Sequence, residues 1–207
     1  DPSLHVEYFT RAAETGKSVF LDKPLADTVK NGRRILDIAA AAGVRFFSAS
    51  SLRFAPRLVE ACDSLPDPYC CAIYGPLVQA RAGSSIIWYG VHSFEMLQRA
   101  MGTGAHSLQT HTDEAGVVVN VDYENGGRGV VELTKGAYVY GGCLRTKSMS
   151  TPFVVKGTPY TELLREIVPF LNGAKPRVAA EETIETMAFL DAAERSSQSG
   201  AIEPVQP

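Results

Sequence analysis

The stretch that most constrains this chain is Val19-Phe20-Leu21-Asp22-Lys23-Pro24-Leu25-Ala26-Asp27-Thr28. Three apolar residues run into a Lys-Pro step, and a helix-like pattern begins soon after. The ring of a proline pushes the residue before it out of the α region, so Lys23 is expected to be extended at the carboxyl end of a short strand. Ligands of open α/β sheets bind at that end of the strands. Two readings follow: a strand-terminating turn with a solvated lysine, or a site lysine beside the carboxylate of Asp22.

The surrounding pattern gives the strand its context. Leu4, Tyr8 and Ala12, with Phe9 and Ala13, form one apolar helical face over residues 4–15, with Ser3 as amino-terminal cap and Gly16 as stop. Ser18–Leu21 reads as a strand, 28–42 as a helix ended by Gly43, and Val44–Ser50 as a second strand. Helix, strand, helix, strand with short connections is the grammar of a parallel sheet. Residues 1–51 therefore read as the last part of a doubly wound, Rossmann-type domain whose beginning is absent from this chain.

Residues 52–207 read differently. A helix with Pro56 in its first turn reaches about Ser64. A strand is expected over Tyr74–Ala82 after a Gly75-Pro76 turn, and a helix over Ile86–Met101. Strands are expected at Ser107–Thr112, Val117–Tyr123, Gly129–Thr134, Ala137–Tyr140 and Cys143–Ser148, with Asn125-Gly126-Gly127 as a hairpin turn. Two amphipathic helices, Tyr160–Asn172 and Glu181–Ser199, close the chain. The fold class is thus α/β plus α+β: the last part of a doubly wound parallel sheet at 1–51, then an α+β domain at 52–207 with an antiparallel meander.

Composition excludes several functions. With 207 residues, 45% hydrophobic content and a net charge of -3, the chain can build a core and lacks the basic excess of a nucleic-acid binder. No apolar run approaches the length of a membrane span. Cys62, Cys70, Cys71 and Cys143 form no C-x-x-C pair, so reduced structural thiols in a cytoplasmic protein are expected. Thr15-Gly16-Lys17-Ser18 imitates a P-loop, but it follows a helix and precedes a strand, the reverse of what phosphate cradling needs. His92 and Glu95 could share a helical face, yet no second pair completes a metal site, so no metal is expected. No Gly-x-Ser-x-Gly elbow occurs, and no G-x-G-x-x-G. What remains is Lys23 and His92. Lysine loses its proton readily when buried and histidine titrates near neutrality, so a pair over one pocket would suit proton traffic with a substrate hydroxyl.

Taken together, these segments resemble a known family. His5 to Ala26, read as His-x(6)-Ala-Ala-x-x-Gly-Lys-x-Val-Phe-x-Asp-Lys-Pro-Leu-Ala, resembles the "EKP" segment of the Gfo/Idh/MocA oxidoreductases, the glucose–fructose oxidoreductase and inositol dehydrogenase relatives. Ser51-Leu52-Arg53-Phe54-Ala55-Pro56 resembles the family's segment after the last Rossmann strand. Gly90-Val91-His92-Ser93-Phe94-Glu95 resembles its "G-x-H-x-x-D" segment. The resemblance implies NAD or NADP as cofactor, with Lys23 and Pro24 bordering the nicotinamide. It implies catalysis by Lys23, polarising the reacting oxygen, and by His92, transferring the proton. A sugar- or cyclitol-like hydroxyl would be the substrate, with Arg53, Trp88 and Tyr89 lining its pocket. It further implies that 1–51 is the C-terminal part of a Rossmann domain, and that 52–207 is a substrate-binding and oligomerisation domain with a mainly antiparallel open sheet. A homodimer or homotetramer would form through the sheet of residues 107–148.

Three departures from the family pattern bear on this. Asp22 stands where glutamate is usual. Trp88 stands four residues before the histidine, where an aspartate is frequent, and cannot take a proton. The glycine loop that lets backbone amides approach a pyrophosphate is missing, so dinucleotide binding by this chain is expected to be weak. An alternative reading is a truncated, catalytically inactive paralogue serving as a sheet-mediated oligomerisation or scaffold module. A further one keeps the fold but uses NAD for elimination or hydrolysis at a sugar.

Overall fold

A computed structural model describes all 207 residues. Helix α1 (His5–Ala13) precedes strand β1 (Val19–Asp22), and α2 (Val29–Ala42) leads to β2 (Phe46–Ala49). The Thr28 side chain caps α2 by accepting from Asn31 N–H, and Gly43 ends it in the left-handed conformation. At the front of the chain Asp1, not Ser3, supplies the capping carboxylate, accepting from Ser3 N–H.

Strands β1 and β2 pair in parallel, Val19 opposite Phe46 and Asp22 opposite Ala49. Alternation along β2 sends Phe46 and Phe47 to opposite faces. Phe46 meets Phe9 of α1 edge-on at 5.5 Å. Phe47 meets Phe20 at 5.1 Å and, at 5.5 Å, Phe170 of α5 (Tyr160–Leu171). A helix from late in the chain therefore covers one face of the two-stranded sheet while α1 covers the other. Phe9, Phe47 and Phe170 are fully buried, and burial of an aromatic side chain is worth about 1.5–3 kcal/mol, so these contacts hold the short sheet in place.

The larger sheet has seven strands in the order β8-β7-β3-β6-β5-β4-β9. Its members are β3 (Cys70–Pro76), β4 (Ala105–Thr112), β5 (Gly116–Tyr123), β6 (Arg128–Thr134), β7 (Gly141–Arg145), β8 (Ser150–Val154) and β9 (Glu203–Pro204). Only the β3–β6 pairing is parallel, so the expected open, mainly antiparallel sheet is present. Helices α3 (Pro56–Ser64), α4 (Val91–Met101) and α6 (Ala180–Ser199) pack against it, α6 also against α2. The main core runs from Phe9 to Val205, and a smaller one joins Phe47 and Ala49 of β2 to Leu163, Ile167 and Phe170 of α5. No helix is long and apolar enough to cross a membrane.

Several boundaries differ from the sequence reading. The strand expected over Tyr74–Ala82 is instead β3, which ends at Pro76 rather than beginning after it. Proline has no N–H to continue a ladder, and Gly75 is no turn: a side chain there would collide with Ser93 Oγ and the Tyr140 ring. Ala137–Tyr140 forms no strand; Gly136 turns the chain with φ of +74°, and the segment crosses the surface until Tyr140 packs inward. The Cys143–Ser148 strand is shifted to β7, and Thr146 then closes a turn into the unexpected edge strand β8. Residues Ile86–Gly90, expected as α-helix, form a π-helical turn before α4.

Candidate functional site

The parallel register of β1 and β2 places Asp22 beside Ala49, so the next residues, Lys23 and Ser50, leave the sheet together at its carboxyl end. Helix α4 crosses that end. Lys23 Nζ donates to the Trp88 carbonyl oxygen at 3.3 Å and lies 5.9 Å from the centre of the Tyr89 ring. His92, one turn further on, places Nδ1 2.6 Å from Ser50 Oγ. Its ring meets Tyr140 edge-on at 5.7 Å. Lys23, Trp88, Tyr89, His92 and Tyr140 are all half-buried, and Pro24 is buried behind Lys23.

Beneath this surface lies Glu95, a buried carboxylate on the same side of α4. Its Oε1 accepts from Ser50 N–H at 2.8 Å, and its Oε2 has no partner. Ser50 is thus held twice by α4: its backbone by Glu95, its side chain by His92. Its Oγ also accepts from Leu52 N–H, capping the short 3-10 turn Ser51–Phe54.

The electrostatics follow from burial. Loss of solvent pushes His92 down to about 3, and the nearby Lys23 charge acts in the same direction. The imidazole is therefore neutral at ordinary pH. Lys23 is itself lowered by desolvation, against the attraction of Asp22 and Glu95. Burial raises Glu95 to about 7, with Arg53, the Ser50 N–H and Lys23 opposing and Asp22 assisting.

The expected substrate ligand Arg53 does not join this group. It is 4% exposed, and its guanidinium donates to Gln98 Oε1 and to Glu182 Oε1, each at 2.6 Å. Those acceptors engage both of its terminal nitrogens, which makes Arg53 a strut between α4 and α6. It borders an ionic cavity of about 510 Å³ that also includes Arg99, Arg165 and Arg177 and none of Lys23, Trp88, Tyr89 or His92. Two neighbours of the pair, Ser50 and Tyr140, escaped the sequence reading, and Glu95 entered it only as a possible metal partner of His92. Of those two, Ser50 carried a signal, as a serine placed to cap the turn that follows it.

The Glu95 shift makes a stability prediction. Because the folded state binds this proton more tightly than the unfolded one, the contribution is fully present below about pH 4.5 and is lost as pH rises through about 7. Between pH 5 and 8 the chain should lose roughly 2–3 kcal/mol from this group. Glu95→Gln keeps an acceptor for Ser50 N–H and should remove that loss. Urea unfolding at both pH values checks it; the same pH dependence in the variant would refute the assignment.

The sequence model described as "Oxidoreductase family, NAD-binding Rossmann fold" matches residues 1–50. No curated protein sequence matches the chain. Among solved structures, one described as a probable dehydrogenase from Thermotoga maritima superposes with a TM-score of 0.85 at 17% identity, covering 99% of this chain and 78% of that one. GenD2 from gentamicin A biosynthesis, solved in complex with NAD, gives 0.83 at 16% identity, covering 99% and 76%. The WlbA dehydrogenase from Bordetella pertussis, solved with NADH and UDP-GlcNAcA, gives 0.80 at 19% identity, covering 100% and 78%.

At these identities the structures speak for the fold alone, while residues 1–50 carry the sequence signature of the NAD-binding Rossmann fold of that oxidoreductase family.

Proposed function

We propose that this chain forms the nicotinamide-facing and substrate-binding part of an NAD(P)-dependent dehydrogenase that acts on a hydroxyl of a sugar- or cyclitol-like compound. The observation that carries the reading is the convergence of Lys23 and His92 at the carboxyl end of β1 and β2, close enough for the charge of one to depress the other. The domain division at residue 51 fits this reading, with 1–51 offering the cofactor edge and 52–207 the substrate side.

One end of a dinucleotide fits the residues present. Lys23 and Pro24 stand at the strand end with Lys23 open to solvent on one side, so they would border a nicotinamide; no glycine-rich strand-to-helix turn offers amides to a pyrophosphate. Bound there, the cofactor would supply the hydride acceptor or donor. The chain's own residues would do the rest. Lys23, with its proton loosened by desolvation, and the neutral His92 would flank the reacting oxygen. Tyr89, Trp88 and Tyr140 would wall the cleft with aromatic surface suited to the apolar face of a sugar ring.

A panel of inositols, aldoses and sugar acids with millimolar NAD or NADP tests the reading through absorbance of reduced nicotinamide. Turnover is expected with at least one substrate, and Lys23→Ala or His92→Asn should lower kcat/KM by about 100-fold or more. A folded chain that reduces neither dinucleotide with any of them would remove the proposal.

A second copy of the chain would suit the outer face of the large sheet, with or without activity. Across it the register aligns Cys143, Ala72, Val130 and Asn120 in one row, and Cys143, Ala72 and Val130 are half-buried without a covering helix. Sedimentation equilibrium should give a dimer or tetramer that Val130→Glu dissociates; a monomer at micromolar concentration would rule this face out.

A further inference from the structure

Ser50 has a side chain with one hydrogen to give and two neighbours that compete to define it. Its residue is fully buried. Leu52 N–H donates to its Oγ at 3.1 Å, and the only other partner of that oxygen is His92 Nδ1 at 2.6 Å. If Nδ1 carried the proton, Oγ would accept twice and its own hydrogen would be left in the interior with nothing to receive it. Buried hydroxyl hydrogens without acceptors are strongly disfavoured. If Ser50 O–H donates to Nδ1, every group is satisfied. The imidazole hydrogen then sits on Nε2, which has no protein partner and is not among the buried unpartnered atoms, so it faces the cleft.

We infer that Ser50 locks His92 in the Nε2–H tautomer, so that His92 meets the substrate oxygen as a hydrogen-bond donor and the proton-accepting group of the site is Lys23. The inference rests on the dehydrogenase reading and revises the division of labour within it. An imidazole whose Nδ1 is occupied and whose Nε2 already holds a hydrogen cannot take a second proton without becoming cationic. Burial and the neighbouring Lys23 charge both oppose that. In the oxidising direction Lys23, its ammonium loosened by desolvation, would first release its own proton to solvent and then, as the amine, take the substrate O–H proton and return to the ammonium form. His92 would keep its hydrogen and hold the developing carbonyl oxygen, the C–H electron pair being taken up with the hydride by the nicotinamide dinucleotide of that reading. The groups that face His92 are Lys23, Ser50 and Tyr140, with Glu95 behind Ser50. Ser50 is a positioning residue in this scheme: it acts on the substrate only through His92.

The tautomer is directly measurable without cofactor. Long-range proton–nitrogen correlation spectra of the 207-residue chain, with its four histidines labelled and His92 assigned by its disappearance in His92→Asn, report the state of each ring nitrogen. The expected result is an unprotonated Nδ1 and a protonated Nε2 between about pH 5 and 8, with a tautomer ratio above about 10:1. Ser50→Ala should bring the ratio to within about threefold of unity, and Ser50→Thr should restore it. An unprotonated Nε2 or an imidazolium in the unaltered chain would overturn the inference, as would an unchanged ratio in folded Ser50→Ala. The spectra of the unaltered chain decide the matter even if the variants do not fold. Because the readout involves neither dinucleotide nor turnover, its failure is separable from failure of the dehydrogenase reading.

Discussion

Ser50 is gripped at both its polar ends by one helix, and the arrangement of the candidate site depends on that grip. Its N–H bonds to Glu95 and its hydroxyl to His92, so the end of β2 is fixed to α4 across 42 to 45 positions of sequence. Buried hydrogen bonds are costly to leave half-made. The joint therefore fixes where α4 crosses the sheet end, and with it where His92 stands relative to Lys23. The same burial depresses His92 and raises Glu95.

On the opposite side α4 is held by α6. Arg53 bridges Gln98 and Glu182, while the buried Glu185 accepts from Gln98 and from the amides of Gly104 and Ala105 at the start of β4. Helix α4 is thus clamped between acids of α6 and the strand-end serine. Gly90 lets its beginning approach the large sheet, since a side chain there would press on Leu133. The cleft residues sit on the one aspect of α4 that neither clamp covers.

Much of this was legible in the sequence. The 3.6-residue apolar spacing of residues 4–13 and 29–42, the β-branched and aromatic runs around them, and the Lys-Pro step together specified a parallel strand end with a lysine on it. The hairpin at Asn125-Gly126-Gly127 specified the antiparallel core of the large sheet. Local chemistry of this kind is written in adjacent residues. The Ser50 joint is not, because hydrogen bonds spanning more than forty residues leave no local pattern; Glu95 drew notice only as a possible metal partner of His92. Arg53 shows the same limit: a motif position fixes a residue's place in the chain, but only packing brings its guanidinium to Gln98 and Glu182. Strand β8 was missed because Pro152 in a short polar run argues against a strand, and an edge strand tolerates it.

The proposed function sets the nicotinamide end of the dinucleotide, rather than its adenine end, against Lys23. Saturation-transfer NMR of NAD with the 207-residue chain tests it most directly, since the method reads weak binding proton by proton. The nicotinamide protons should receive more saturation than the adenine protons, and Lys23→Ala should abolish the excess. Saturation dominated by adenine, or unaltered by Lys23→Ala, would contradict the claim.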